Sequence, residues 1–144
     1  MDIQVCTRND IDAWVALRRA LWPEEEGLCS GAEAMLAESD KVALLCRSDR
    51  GEAIAFAEAS IRRDYVNGCD TSPVAFLEGI YVVPDHRHSG IGRELVGRIA
   101  IWARGFGCTE FASDALLDND SSHAFHAAIG FEETERVVYF RRPL

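Results

Sequence analysis

The chain has 144 residues, a length that predicts one domain spanning 1–144. Its hydrophobic content of 48% and charged content of 27% are those of a globular protein and exclude a disordered chain. With 15 basic and 24 acidic residues the formal net charge is −9, which disfavours nucleic acid and anionic membranes as partners and favours a cationic substrate.

The sequence also indicates a compartment. No apolar run approaches the roughly 18 residues of a transmembrane span, and residues 1–10 lack the basic start and apolar stretch of a secretory signal, so we expect a cytoplasmic protein. The five cysteines are odd in number, widely spread and contain no C-x-x-C pair. Neither a disulfide scaffold nor a zinc site is therefore indicated.

The first half of the chain predicts two helices followed by a hairpin. Thr7 and Asp10 have capping-box spacing before an amphipathic first helix, and the same spacing at Ser30 predicts the start of a short second helix. Two β-like runs, 41–47 and 52–61, flank a turn and predict an antiparallel hairpin.

The second half alternates strands and helices. The predicted elements are a strand over 73–83, a helix from 91 to 102, a strand over 108–114, a helix over 121–129 and a final alternating strand over 133–141. The order α-α-β-β-β-α-β-α-β contains no repeat and predicts an α/β fold with one mixed sheet and helices on both faces.

A glycine-containing turn joins the third strand to the third helix. Arg87, Gly90 and Gly92 form the pattern Arg-x-x-Gly-x-Gly, in which small residues let backbone N–H groups point at an anion beside a helix N-terminus. A P-loop is excluded because no Gly-Lys-Ser/Thr follows, and a dinucleotide fold is disfavoured because the third glycine is missing. The turn predicts a phosphate-binding site; an ordinary strand-to-helix turn is the alternative.

At this turn the sequence resembles the GNAT family of acetyl-CoA-dependent N-acetyltransferases, whose signature is Arg/Gln-x-x-Gly-x-Gly/Ala after the fourth strand. The element order resembles that fold, a central and mostly antiparallel sheet, over nearly the whole chain. Longer strings resemble the aminoglycoside 6′-N-acetyltransferase branch; they lie at 22–23, 57–69, 76–80 and 130–137. The resemblance implies acetyl transfer from acetyl-CoA to an aminoglycoside antibiotic, usually by a homodimer.

The same resemblance implies which residues contact acetyl-CoA. In the family, the strand that corresponds to 73–83 splays from its neighbour, so that backbone groups of Ile80, Tyr81 and Val82 run along the pantetheine arm, with the Val82 N–H polarising the thioester oxygen. The implied pyrophosphate and remaining cofactor contacts are Arg87, His88, Ser89, Gly90, Ile91, Gly92, Arg93 and Asn119. Plain core packing is the alternative for Ile80 and Val82, and the two roles are compatible.

Glu78 is the candidate base. An alkylammonium is almost wholly protonated at neutral pH, and only its neutral form attacks a thioester, so the site needs a group that attracts a cation and removes a proton. By the period of two, Glu78 shares a face with the apolar Val74, Phe76, Ile80 and Val82, which is an expensive place for a carboxylate. We therefore expect Glu78 to face a cleft; a structural pair with an arginine such as Arg62 is the alternative.

The resemblance carries substrate contacts to Trp22, Tyr65, Glu78, Asp114 and Glu135. Asp114 ends a strand, where open α/β sheets bind ligands, and the two aromatic side chains offer flat surfaces to sugars and cations. Helix capping is the alternative for Asp114, and a solvated strand position is the alternative for Glu135.

His126 stands where many members of the family place a tyrosine that protonates the departing thiolate, four residues before Gly130-Phe131. A histidine donates protons near neutral pH, so His126 is a candidate acid, with Tyr139 or water as alternatives. His86 and His88 lack an acidic or cysteine partner at ligand spacing, and we expect no metal.

Three hypotheses follow. The first is direct acetyl transfer, in a ternary complex, to the 6′-amine of an aminoglycoside with Glu78 as base. The second keeps the fold and cofactor but changes the acceptor to another small amine or a peptide amine. The third is a non-catalytic acyl-CoA-binding module.

Overall fold

The computed structural model describes residues 1–144 and contains one five-stranded sheet with four α-helices. In chain order the elements are β1 (Asp2–Val5), α1 (Ile11–Leu21), α2 (Leu28–Leu36), β2 (Lys41–Arg47), β3 (Ala53–Arg62), β4 (Val74–Val82), α3 (Ile91–Arg104), β5 (Phe111–Ser113) and α4 (Asp120–Ala128). Short 3-10 turns precede α1 and α3.

The strands lie in the order β1-β2-β3-β4-β5, with the first three pairs antiparallel and β4–β5 parallel. The predicted mixed, mostly antiparallel sheet is therefore confirmed. Two apolar clusters cover its faces: α3 packs on one through Leu95 and Ile99, and α1 and α2 pack on the other through Trp14 and Ala32. None of the helices is long and apolar enough to cross a bilayer.

The amino-terminal half confirms the hairpin and the first cap but corrects two expectations. Thr7 donates its N–H to Asp10 Oδ2 at 2.9 Å, as capping-box spacing predicts. The strand β1 was not expected, yet it pairs with β2 and buries Ile3. The second helix starts at Leu28 rather than at a Ser30 cap, because Gly27 adopts a left-handed conformation with φ +70° and serves as its N-cap.

In the carboxyl-terminal half, two of the predicted strands differ from the structure. The strand expected over 108–114 is reduced to Phe111–Ser113, and the final strand expected over 133–141 is wrong, since residues 131–144 form no helix or strand. A strand needs a partner for its backbone groups, and the outer edge of β5 meets none. Val138, Tyr139 and Phe140 consequently stand exposed.

Candidate functional site

Glu78 occupies a β-bulge in β4. Ala59 of β3 pairs with Leu77, and the residue before it, Glu58, pairs with Gly79, so Glu78 is the extra residue of the ladder. The bulge reverses the alternation of the strand: Ile80 packs with Leu77 against the α3 cluster. The expectation that Ile80 and Val82 share a face with Glu78 is therefore wrong, because it assumed an unbroken period of two.

The carboxylate of Glu78 lies between two donors from β3. Ser60 donates its hydroxyl to Oε1 at 2.5 Å, and Arg62 donates from one terminal nitrogen to both oxygens at 2.9 Å. The alternative of an arginine partner, raised by the sequence, is thus what the structure contains. The Glu78 side chain is 34% exposed, so solvent and a bound molecule reach it.

Trp22 lies over the same stretch of β4. It caps α1, and a Cβ on Gly79 would approach its ring to 2.6 Å, which leaves room only for glycine beside Glu78. The indole also packs edge-on against Phe56, with 6.0 Å between ring centroids. Trp22 therefore lies beside the residue that follows Glu78, and its contact with a substrate stays a prediction.

A buried ion pair between Arg18 and Glu58, which the sequence did not reveal, lies beside the Trp22 ring. Glu58 is 2% exposed, and its Oε1 accepts hydrogen bonds from Trp14 Nε1 at 2.7 Å and from Arg18 Nε at 2.6 Å. Arg18 also donates to the Leu28 carbonyl at 2.6 Å, and its guanidinium lies 5.3 Å from the Trp22 ring centroid. One arginine thus joins α1, α2, β3 and the aromatic surface.

The outer edge of β4 opens beyond Leu77. The short β5 pairs only with Ala75–Leu77, so the part of β4 from Glu78 onward has β3 on its inner side and no strand on its outer side. Val83 donates its N–H to the Ile54 carbonyl in β3 at 2.9 Å. Because successive N–H groups of a strand alternate in direction, the Val82 N–H points away from β3 and into this opening.

The turn before α3 presents unpaired backbone donors. Gly90 has φ +86° and caps the helix, and the first intrahelical bond runs from Glu94 N–H to the Gly90 carbonyl at 3.0 Å. The N–H groups of Ile91, Gly92 and Arg93 meet no acceptor of the protein. Together with the partial positive charge of a helix N-terminus, they form a site suited to an anion.

The side chains of this turn are mostly engaged with the backbone. Arg87 Nε donates to the Val82 carbonyl at 2.7 Å, Ser89 donates to the His86 carbonyl, and Arg93 donates to the Ala128 carbonyl. These bonds fix the shape of the turn and leave the amides of Ile91 to Arg93 free.

Gly92 has a second function that spacing alone did not indicate. A Cβ there would lie 2.7 Å from Phe125, so the glycine allows α4 to pack closely on the start of α3. The second glycine of the pattern therefore serves helix packing as well as access to the turn.

The helix α4 brings His126 to the end of β5. Its Nδ1 lies 2.7 Å from the Ser122 carbonyl, which can only accept, so Nδ1 carries a proton. Nε2 lies 2.7 Å from the Ser113 hydroxyl. At the start of α4, the side-chain Oδ1 of Asn119 accepts the Ser122 N–H at 3.2 Å as a helix cap and leaves the side-chain amide nitrogen free.

The remaining predicted residues form no hydrogen bond with Glu78, although Asp114 follows Ser113, which pairs with Leu77 in the sheet. Tyr65 is 76% exposed on the loop before β4, and Asp114 is exposed directly after β5. Glu135 is exposed in the carboxyl-terminal tail, whose Thr134 packs against Gly68 of the Tyr65 loop. The tail and this loop are thus neighbours.

Glu110 anchors that loop, a role the sequence did not suggest. Its Oε1 accepts the hydroxyl of Thr71 at 2.5 Å and the N–H groups of Asp70 and Thr71 at 2.9 and 2.7 Å. The Thr71 hydroxyl and these backbone donors hold the pKa of the Glu110 carboxyl below its usual value. The segment after Tyr65 is therefore tied to the start of β5.

No group of three or more histidine, cysteine or acidic side chains in the structure could hold a metal ion. His88 adopts the left-handed backbone conformation, with a φ of 61°, and so helps to form the bend of the turn.

The fold and the turn agree with a family assignment. The model of the acetyltransferase (GNAT) family matches residues 11–131, so the chain belongs to that family. The resemblance drawn from the Arg87 turn and the neighbouring strings is confirmed.

Within the family, the chain is similar to aminoglycoside 6′-N-acetyltransferases over its whole length. It is 52% identical to an aminoglycoside N(6′)-acetyltransferase type 1 of Acinetobacter genomosp. 13, covering 99% of this chain and 98% of that protein. The crystal structure of the apo aminoglycoside 6′-N-acetyltransferase AAC(6′)-Ig of Acinetobacter haemolyticus superposes with a TM-score of 0.96 at 49% identity, covering 100% and 99% of the two chains. AAC(6′)-Iy in complex with the bisubstrate analogue CoA-S-monomethyl-acetylneamine superposes with a TM-score of 0.95 at 41% identity, covering 99% and 98%.

Proposed function

We propose that this protein is a single-domain enzyme over 1–144 that transfers acetyl from acetyl-CoA to the 6′-amino group of aminoglycosides and thereby confers antibiotic resistance. The observation that carries the proposal is the full-length similarity, near 50% identity, to proteins with that activity in their names. A relative of the same fold binds a molecule that joins CoA to an acetylated aminoglycoside, which fits a ternary-complex mechanism.

The acetyl-CoA site is proposed along β4 and the turn. The free amides of Ile91 to Arg93 suit the pyrophosphate, and the open edge of β4 suits the pantetheine arm. Backbone groups of Ile80 to Val82 would bind that arm, and the Val82 N–H would stabilise the oxyanion of the thioester carbon. Asn119 would contact the cofactor through its free amide nitrogen.

The acceptor site is proposed around Glu78, between Trp22 and the open edge of β4. Glu78 attracts the 6′-ammonium and accepts one of its protons through a water molecule, and the neutral amine attacks the thioester carbon. The C–N bond forms, the nitrogen of the tetrahedral intermediate loses its second proton to water, the intermediate collapses with cleavage of the C–S bond, and the thiolate takes a proton. The proposed donor of that proton is His126 with both ring nitrogens protonated; the proton leaves Nε2 and passes through the Ser113 hydroxyl.

Other carboxylates and aromatic surfaces would hold the rest of the polycation. Tyr65, Asp114 and Glu135 are exposed and able to receive ammonium groups or sugar rings, and the net charge of −9 draws a cation to the protein.

We also propose a cytoplasmic homodimer. All five cysteines are free, which fits a reducing compartment. The exposed apolar tail residues Val138, Tyr139 and Phe140 fit coverage by a second copy of the chain. Light scattering of the full chain and of the Phe140→Ser variant tests the assembly; a monomeric full chain would contradict it.

The proposed activity is tested by acceptor-dependent release of free thiol from acetyl-CoA. Kanamycin and tobramycin are compared with spermidine and lysine peptides, and turnover on at least one aminoglycoside is expected. Activity on the amines alone would move the enzyme to another acceptor, and the absence of turnover on any aminoglycoside would overturn the proposal.

A second experiment separates catalysis from mere binding. Glu78→Gln is expected to lower kcat about 10²–10⁴-fold while acetyl-CoA still binds, since the variant loses only the base. Unchanged turnover in this variant would contradict the assigned role. A wild-type protein that binds acetyl-CoA but turns over no amine would favour a non-catalytic module.

A further inference from the structure

The two oxygens of Glu78 are used unequally. Oε1 accepts three hydrogen bonds, from the Ser60 hydroxyl at 2.5 Å and from Arg62 Nε and its terminal nitrogen at 3.2 and 2.9 Å. Oε2 accepts one, from the same terminal nitrogen of Arg62 at 2.9 Å. A carboxylate oxygen has about two acceptor sites, so Oε1 is saturated and Oε2 retains room for another donor.

Arg62 is attached to the site by few contacts. Its guanidinium makes hydrogen bonds to Glu78 alone and otherwise lies over the Phe76 ring, 3.6 Å from the centroid. The side chain is 43% exposed and stands at the last residue of β3. Arg62 is therefore a cation on the candidate base that can turn into solvent without breaking any other hydrogen bond.

The buried pair on the same face of β3 shows the contrast. Arg18 is 11% exposed and bonds to the Leu28 carbonyl as well as to Glu58, so it cannot leave without exposing a buried charge. Nothing comparable fixes Arg62. An ion pair between partly exposed groups is weak in water and is open to competition from another cation.

We infer that Arg62 is an exchangeable counter-cation, which occupies Glu78 until an ammonium group of the acceptor takes its place at Oε2. The inference rests on the proposed function, because it needs an acceptor with an ammonium group. The Arg62 guanidinium and the ammonium group of the acceptor bind the same carboxylate, and the two positive charges repel each other. Arg62 therefore lowers the affinity for the acceptor and favours acceptors whose charge is dense enough to displace it.

The test compares Arg62→Met with Arg63→Met in tobramycin titrations by calorimetry without acetyl-CoA. Both variants remove one positive charge from neighbouring residues, but Arg63 pairs with Asp40, at 3.3 Å, instead of Glu78. Arg62→Met is expected to bind tobramycin about fivefold more tightly than wild type, the change that corresponds to an exposed ion pair. Arg63→Met is expected to bind within about twofold of wild type, since its effect is only screened long-range charge.

Two further measurements keep the inference falsifiable if Arg62→Met folds poorly. Arg62→Lys, which retains the charge, is expected to recover the affinity of the wild type. In the wild-type protein, the NMR signal of Arg62 Nε–H, assigned by its loss in Arg62→Lys, is expected to move to the position of a solvent-exposed arginine when tobramycin saturates the site.

The outcomes separate this inference from the proposed function. If wild type neither binds nor acetylates an aminoglycoside, the proposed function fails. If wild type does both, but Arg62→Met binds as Arg63→Met does or more weakly, or the Arg62 signal stays in place at saturation, the exchange is refuted and Arg62 is a fixed partner of Glu78.

Discussion

Replacing Glu58 by glutamine tests the buried ion pair behind the candidate site. The substitution keeps the shape of the side chain but leaves the guanidinium of Arg18, 11% exposed, without a counter-charge. Removing one partner of a buried pair costs about 3–5 kcal/mol, because the other charge stays buried. With an unfolding entropy of about 2.1 cal/mol/K per residue, this lowers the Tm of a chain of this length by about 10–17 °C.

The assay is thermal unfolding at pH 7, followed by circular dichroism or calorimetry. Glu78→Gln is the matched control, since it makes the same chemical change at a pair whose side chains are 43% and 34% exposed; its Tm is expected to fall by no more than about 3 °C. The double variant Arg18→Met with Glu58→Leu is expected to recover part of the loss, because it leaves no charge unpaired but removes the acceptor of the buried Trp14 Nε1–H. Equal Tm values for Glu58→Gln and Glu78→Gln would refute the reasoning.

Three further predictions concern other parts of the molecule. The pKa of the Glu110 carboxyl is lowered by its hydrogen bonds in the folded state, so its contribution to the loop before β4 is present at neutral pH and lost as the pH falls through that lowered value; amide exchange is expected to show acid-dependent protection in wild type and none in Glu110→Gln. Burial raises the pKa of the Cys6 thiol to about 12, so an alkylating reagent at pH 8, read by mass spectrometry, is expected to modify the exposed Cys29 in the folded protein and Cys6 only after unfolding. His126→Phe is expected to lower kcat about 10²-fold with the KM for acetyl-CoA unchanged, and an unaltered kcat would remove His126 from the mechanism.

The sequence predicted the parts of the fold that local patterns determine. The hairpin of β2 and β3 and the helix α3 follow from strong periodicity with glycine at their ends, and both are confirmed. The four-residue β1 was too short to give such a pattern, although Ile3 is buried. The alternation over 133–141 indicated a strand, but a strand also needs a neighbour, and local sequence does not supply one.

The sequence predicted candidate site residues but did not predict how they are arranged in space. The pair of Glu78 with Arg62 was raised as an alternative, whereas the bulge that turns Glu78 away from Ile80 was missed. A bulge depends on the register of two strands 20 residues apart in sequence; the neighbouring Gly79 was the one local signal. The Arg18–Glu58 pair joins segments that are distant in the sequence, so no local pattern of residues indicated it.

The central claim is that the turn from Arg87 to Arg93 binds the pyrophosphate of acetyl-CoA and so places the acetyl group beside Glu78. Calorimetric titration of the wild-type protein with acetyl-CoA, compared with S-acetylpantetheine, which lacks the pyrophosphate and the phosphorylated adenosine attached to it, tests the claim. The account predicts saturable binding of acetyl-CoA and binding of S-acetylpantetheine weaker by about 100-fold or more, since the free amides of the turn meet no anion. Equal affinity for the two compounds, or no heat with acetyl-CoA, would contradict it.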